Sequence, residues 1–474
     1  MLALCLGVLA ACAVGPDYVK PDAPVGTQYK EMEGWKVAEP KDHLVRGKWW
    51  EIFNDPQLNA LAEQVNISNQ NIAAAEGQFR QARALVRVAR AAYFPTVTIG
   101  SSLTRSQSSG TLTSSTAGIP VTVYSLPVNA TWEMDLWGRI RRSVESARAS
   151  AQATAADLEN VRLAAQAELT QDYFQLRALD AQRELLTKTV AAFEKSLELT
   201  QNRYKAGIVS RADVLQAETQ LKTARAQLVD VGVQRSQLEH AIAVLIGKPA
   251  SVFSIPASPL TAVPPPVPVG LPSELLERRP DIAAAERRMA AANAQIGVAI
   301  AAFFPRVTLG GSAGYQSGES AEWLQWPSRF WSIGPSASET VFTGGSRRGQ
   351  TEQARGAYDT TVASYRQQVL KGFQEVEDNL STLRILEQES RVQGEAVTAA
   401  QQSLAITLNQ YKAGIVGYLS VITAQTVALN NEQTALSIRS RRMTAAVLLI
   451  KALGGGWDAS QLPQDRNLTP DGGK

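Results

Sequence analysis

The chain has 474 residues, 45% hydrophobic and 19% charged, a balance that excludes an intrinsically disordered protein. Its 47 Lys+Arg against 44 Asp+Glu leave a formal net charge of +3, which provides no field for wrapping nucleic acid. The only cysteines are Cys5 and Cys12, so the body holds neither a disulfide framework nor a thiolate metal site, and no apolar run reaches the roughly 18 residues of a membrane-spanning helix.

In chain order, the first feature is an address. Met1–Ala11 is almost wholly apolar and ends in Leu9-Ala10-Ala11-Cys12. Small residues before a cysteine at the end of an apolar stretch resemble a bacterial lipoprotein cleavage box, which makes residues 1–11 a signal peptide and Cys12 the lipidated first residue. Acyl chains on Cys12 contribute about 0.8 kcal/mol per buried CH₂. No Lys or Arg precedes the stretch, a departure from the usual pattern that points to a start codon further upstream. Residues 12–54 read as an extended segment.

A helix follows over Pro56–Ala92, with a break near Asn66–Asn69; Pro56 suits a first helical position, with Asp55 just before it. Two strands come next. Val97, Ile99 and Leu103 alternate with Thr98, Ser102 and Thr104. Tyr124, Leu126, Val128, Ala130 and Trp132 alternate with Ser125, Asn129 and Thr131. Such alternation gives one apolar and one polar face. Ile140–Lys205 then runs without proline, about 100 Å of helix, and Ala212–Ile246 returns about half that distance. Apolar residues from Ile140 to Leu176 recur at three-and-four spacing, as in a coiled coil.

The whole layout then repeats. Ala92–Gly100 matches Ala302–Gly310, displaced by 210 positions, and Tyr204–Val209 matches Tyr411–Val416, displaced by 207. Repeat 1 spans 55–246, a Pro-rich linker 247–272, repeat 2 273–453, and a tail 454–474. In repeat 2 the helix is Pro280–Ala302, and the strands carry Val307, Leu309 and Tyr315, then Trp331, Ile333 and Ala337. The long helix is Gly349–Lys412 and the return helix Leu419–Leu453. The fold class is therefore mainly α with a small β part and an internal two-fold repeat: a rod with strands at one end and helical hairpins at the other.

Four strands cannot close a barrel. An alternating strand set flanked by Tyr93, Phe94, Trp132, Phe303, Phe304 and Trp331 reads as a lipid-facing band with aromatic girdles, so the closed barrel has to come from several chains. The alternative is a lipid-anchored structural coiled-coil protein without a pore. An enzyme has little support. His43 and His240 lie in no catalytic motif, and there is no phosphate loop.

Several segments together resemble the outer membrane factors of the TolC/NodT family, of the lipoprotein type. They are Cys12–Tyr18, Trp132–Arg139, Arg278–Pro305, the two Tyr-Lys-Ala-Gly turns and Lys451–Trp457. The resemblance implies a homotrimer with a twelve-stranded barrel in the outer membrane, four strands per chain, continued by a helical coiled-coil barrel in the periplasm. It implies no catalysis and no cofactor or metal. It implies a passive exit duct of a tripartite pump, in contact with a periplasmic adaptor protein and an inner-membrane transporter of the RND type.

The tips carry the remaining candidates. Gly207 and Gly414 suit left-handed positions after the long helices, and Lys205 and Lys412 face negative helix ends. Ser210 and Asp213 have capping-box spacing. The resemblance makes these tips, with Tyr204, Tyr411, Ser420 and Thr423, the closure of the duct. Ser420 and Thr423 stand where some family members place aspartates, which moves any acidic role to Asp213. The tyrosine hydroxyls are expected to bond across neighbouring hairpins.

Overall fold

The computed structural model describes residues 13–26, 28–31, 47–111, 118–267, 275–464 and 468; Cys12 and His43 lie outside them. Seven helices longer than one turn carry the described architecture: α1 (Pro56–Ser68), α2 (Gln70–Ala91), α3 (Arg139–Lys205), α4 (Arg211–Leu245), α5 (Pro280–Ala301), α6 (Ser346–Lys412) and α7 (Tyr418–Ala452). The strands are β1 (Thr96–Ile99), β2 (Ser102–Gln107), β3 (Pro120–Glu133), β4 (Arg306–Ser317) and β5 (Arg329–Ser338).

Local chemistry sets the boundaries. Asp55 caps α1 by accepting from the Gln57 and Leu58 N–H groups at 2.9 and 3.1 Å, and Asn69 caps α2 in the same way through Asn71 and Ile72. The expected break in the first helix thus falls at Asn69. Both 67-residue helices start directly after a left-handed glycine, Gly138 (φ 78°) and Gly345 (φ 90°). That places the start of α6 at Ser346, three residues before the expected Gly349.

At about 1.5 Å per residue, α3 and α6 each span about 100 Å. Near the sheet the helices pack in the order α2–α3–α5–α6; toward the tips the order is α4–α3–α7–α6. The short helices are therefore stacked end to end, α4 on α2 and α7 on α5, beside two continuous long ones.

The stacking joints are built alike. The Asn69 Nδ2 donates to the Leu245 carbonyl at 2.8 Å, and the Arg279 Nη1 donates to the Ala452 carbonyl at 3.0 Å. These pairs are displaced by 210 and 207 positions, the same offsets as the repeat. Each arriving helix ends on a left-handed glycine, Gly247 (φ 66°) or Gly454 (φ 94°). The next residue closes the end, Lys248 N–H on the Ala243 carbonyl and Gly455 N–H on the Ile450 carbonyl, both at 2.9 Å. Around the first joint lies the largest apolar core, with Trp49, Trp50, Leu58, Val65, Phe174 and Leu449 buried.

The sheet is an antiparallel meander, β1/β2–β3–β4–β5. β1 and β2 pair with β3 in one unbroken register, Ile99 opposite Val128 and Ser102 opposite Ser125. The interruption between them lies opposite Pro127, which has no N–H to donate; Gly100 still donates to the Pro127 carbonyl at 3.0 Å. On the other side of Pro127 stands Gly314, where a Cβ would lie 2.9 Å from the Pro127 Cα.

Candidate functional site: the apolar sheet and the helical tips

The register decides which residues share a face. Cross-strand partners point the same way. Ile99, Val128 and Ala313 therefore align with Trp331, and Trp132 and Leu309 with Pro335. Extending by steps of two collects Val97, Leu103, Tyr124, Leu126, Ala130, Val307, Tyr315, Ile333 and Ala337 on that same face. The opposite face holds Thr98, Ser102, Thr104, Ser125, Asn129, Thr131, Ser312, Ser332 and Ser336. It is laced by hydroxyl and amide bonds such as Ser312 Oγ to Asn129 Oδ1 at 2.8 Å. The apolar face is exposed, with Val97, Ile99, Leu103, Trp331 and Ile333 each at least 64% accessible. From Val307 to Tyr315 it extends about 27 Å along the strand, close to the length of about 9–11 residues with which a tilted strand spans a bilayer.

The girdle candidates take distinct places. Tyr93 and Phe94 lie just before β1, and Trp132 donates its Nε1 to the Tyr93 carbonyl at 2.9 Å. Phe303 is exposed, whereas Phe304 stacks on Trp137 with centroids 4.8 Å apart. Trp331 lies further along the sheet, opposite Ala313. At the far end stands a group the sequence reading did not single out: Trp323, 5.7 Å from Tyr124, and Trp326 beneath the Arg329 guanidinium.

At the opposite end of the rod both turns have one geometry. Gly207 (φ 72°) and Gly414 (φ 76°) are left-handed. Ile208 N–H reaches the Arg203 carbonyl, and Ile415 N–H the Gln410 carbonyl, each at 2.9 Å. Lys205 and Lys412 close the last helical turns. Asp213 is occupied as a cap. Its carboxylate accepts from the Ser210 N–H and Oγ at 3.0 Å, and its own N–H donates to the Ser210 Oγ at 3.3 Å. Ser420 and Thr423 are exposed on the first turns of α7, and the Thr423 hydroxyl bonds back to the Leu419 carbonyl.

The two tip tyrosines differ. Tyr204 is 45% exposed, while Tyr411 is 2% exposed. Tyr411 lies between the two hairpins of this chain, its hydroxyl 3.3 Å from Thr200 Oγ1 and its ring 5.4 Å from that of Tyr418. Burial, then Tyr411, pushes the Tyr418 hydroxyl up to about 12. Arg203, absent from the sequence candidates, holds the place together. Its guanidinium sits 4.5 Å over the Tyr411 ring and donates to the Tyr411 carbonyl. An isolated arginine on a long helix gave no signal for this.

The N-terminal segment also lies on the body. Val14 N–H donates to the Trp137 carbonyl at 3.0 Å, Asp17 pairs with the buried Arg142 at 2.8 Å, and Glu31 meets Arg384. It therefore runs from the sheet end toward the tips. Among the described residues no helix is long and apolar enough to cross a membrane, and no cluster could hold a metal ion.

An exposed apolar sheet face with a polar reverse, continued by helices about 100 Å long, defines a subunit of a membrane channel. The model of the outer membrane efflux protein family matches the chain twice, over residues 61–248 and 271–455, and the chain belongs to that family. It is 31% identical over 469 residues to the toluene efflux pump outer membrane protein TtgF of Pseudomonas putida, covering 96% of this chain and 97% of TtgF. The outer-membrane channel OprN superposes with a TM-score of 0.88 at 31% identity, over 94% of this chain and all of that one. The open state of the Neisseria gonorrhoeae MtrE outer membrane channel gives 0.82 at 27% identity, over 94% and 99%. The protein is an outer membrane efflux channel component.

Proposed function

We propose that three copies of this chain close a twelve-stranded barrel and form the passive exit duct of a tripartite pump, without catalysis of its own. The observation that carries the reading is the sheet: one exposed apolar face, one polar face, and free edges at β1/β2 and β5. In lipid an unpaired edge is untenable, because its N–H and C=O groups find no water. Closure with other copies pairs both edges and turns the polar face inward. The stacked helices continue the conduit away from the membrane, and the tips are the surface for a periplasmic adaptor, with an inner-membrane transporter of the RND type beyond it. Exposed Ile208 and Ile415 at the two turns offer that partner apolar contact.

Lipidation at Cys12 belongs to the same reading. Ala13 lies against the junction of sheet and α3, where a Cβ on Gly138 would stand 2.7 Å from the Ala13 Cβ. An acyl anchor bonded just before Ala13 reaches the leaflet on the helical side. Light scattering of the purified protein in mild detergent tests the assembly. Three times the mass of one chain is expected; a monomer with intact helical circular dichroism overturns it.

A further inference from the structure

The membrane-proximal helix α2 carries Arg80, Arg83, Arg87 and Arg90. Their three-and-four spacing puts them on one face, beside the buried stripe of Ile72, Ala75 and Val86. Four arginines of the neighbouring α3 are paired: Arg139 with Glu133, Arg141 with Asp135, Arg142 with Asp17, and Arg162 with Glu159. The α2 four make no ion pair or hydrogen bond with any described side chain; Arg83 alone rests on an aromatic ring, 5.9 Å from the Phe79 centroid. The acids within reach are engaged. Asp135 binds Arg141 and the Ile140 and Arg141 N–H groups, and Glu76, the one acid on α2, faces Arg162 at 3.8 Å.

The place of the stripe identifies its ligand. The Arg90 carbonyl accepts the Tyr93 N–H at 3.0 Å, and the Tyr93 carbonyl accepts the Trp132 indole. Trp132 belongs to the apolar face. Arg90 therefore lies one helical turn beyond the aromatic edge of that face, and Arg87 about 4.5 Å further along the helix. The polar layer beneath a hydrocarbon zone is about 6 Å deep, so Arg90 falls at headgroup level, and Arg87, about 9 Å below the aromatic edge, lies under it within a Debye length of about 8–10 Å. Arg80 lies about 15 Å below Arg90, beyond a Debye length of about 8–10 Å.

We propose that Arg87 and Arg90 bind the phosphates of anionic phospholipids in the leaflet on the helical side, forming a basic collar beneath the barrel. A guanidinium offers paired donors matched to phosphate. This rests on the reading that the apolar face meets lipid, and it names the lipid class selected there.

The test uses the full-length protein reconstituted in vesicles of equal parts phosphatidylglycerol and phosphatidylcholine. It is re-extracted in mild detergent, and the lipids retained are counted by native mass spectrometry. The parent should retain phosphatidylglycerol preferentially. Each arginine near an anionic surface is worth about fivefold, so Arg87→Gln with Arg90→Gln should cut that preference by about 25-fold. Arg87→Lys with Arg90→Lys should keep most of it, and Arg80→Gln should leave it unchanged. A glutamine pair that retains phosphatidylglycerol as the parent does would overturn the proposal. So would displacement of the lipid by added inorganic phosphate, which would make the stripe a site for the free ion. Insertion with no lipid preference in the parent would overturn the collar and leave the lipid-facing sheet intact; failure to insert at all would remove both.

Discussion

Replacing Gly454 by alanine tests how the two tiers of helices are joined. Gly454 ends α7 at φ 94°, a conformation that costs a residue with a Cβ about 1–2 kcal/mol. The new Cβ would also sit 2.8 Å from the Arg278 carbonyl carbon, and closer still to its oxygen. Arg278 cannot retreat freely, because Arg279 beside it is 5% exposed and bonded to Asp281, Glu375 and the Ala452 carbonyl. Relief of that overlap adds about 1–3 kcal/mol. The expected loss is therefore about 2–5 kcal/mol, with a similar loss for Gly247→Ala, whose Cβ would sit 3.1 Å from the Ser68 carbonyl carbon. Gly232 is the internal control. It lies inside α4 with nothing within 4 Å of a Cβ, so Gly232→Ala should gain about 0.5–1 kcal/mol. Denaturant unfolding in detergent, followed by circular dichroism, gives all three values. If Gly454→Ala and Gly232→Ala shift stability alike, the joint does not hold the tiers together.

Three further outcomes follow from the geometry. Asp55→Ala removes the α1 cap and leaves the Tyr173 hydroxyl, now 2.7 Å from Asp55 Oδ2, without its acceptor; unfolding should show a loss of about 2–3 kcal/mol. Arg203→Met should loosen the hairpin pair by about 1–3 kcal/mol and raise single-channel conductance with the assembly unchanged, whereas equal conductance would place the constriction elsewhere. Burial, then Glu168, pushes the Asp172 carboxyl up to about 6 from 3.8. Its folded state thus binds the proton more tightly than its unfolded state. The carboxylate's penalty is absent below about pH 4, grows as pH rises toward 6 and is complete above it. Discounted for solvent screening, Asp172→Asn should stabilise by about 1 kcal/mol at pH 7.5 and by nothing at pH 4, as denaturation at the two pH values would show.

Much of the architecture was legible because it is periodic. The long helices end at Lys205 and Lys412 as the Tyr-Lys-Ala-Gly turns indicate, since a left-handed glycine terminates each. Ser210 and Asp213 form the capping box that their spacing suggests, and the strand alternation gives the two faces of the sheet. What stayed hidden depends on partners distant in sequence. The stacking joints pair Asn69 with Leu245 and Arg279 with Ala452; the two cap residues occupy equivalent positions but differ in type, so no motif match exposes them. The interruption between β1 and β2 is dictated by Pro127 on the neighbouring strand. Tyr411 makes the cross-hairpin bond expected of the tip tyrosines, on Thr200, but the burial of its ring against Tyr418 depends on the second hairpin and left no mark in the local sequence. The arginines of α2 were readable as a helical stripe. Their significance required knowing that Arg90 lies one turn from Trp132 and the apolar face.

The central claim is that this sheet and these helices enclose a conduit. The purified protein, added to one side of a planar lipid bilayer under a fixed voltage, tests it most directly. Discrete current steps of uniform size are predicted, each from one inserted assembly. Protein that inserts, with its apolar face protected from aqueous labelling, yet passes no current even as Arg203→Met would contradict the account.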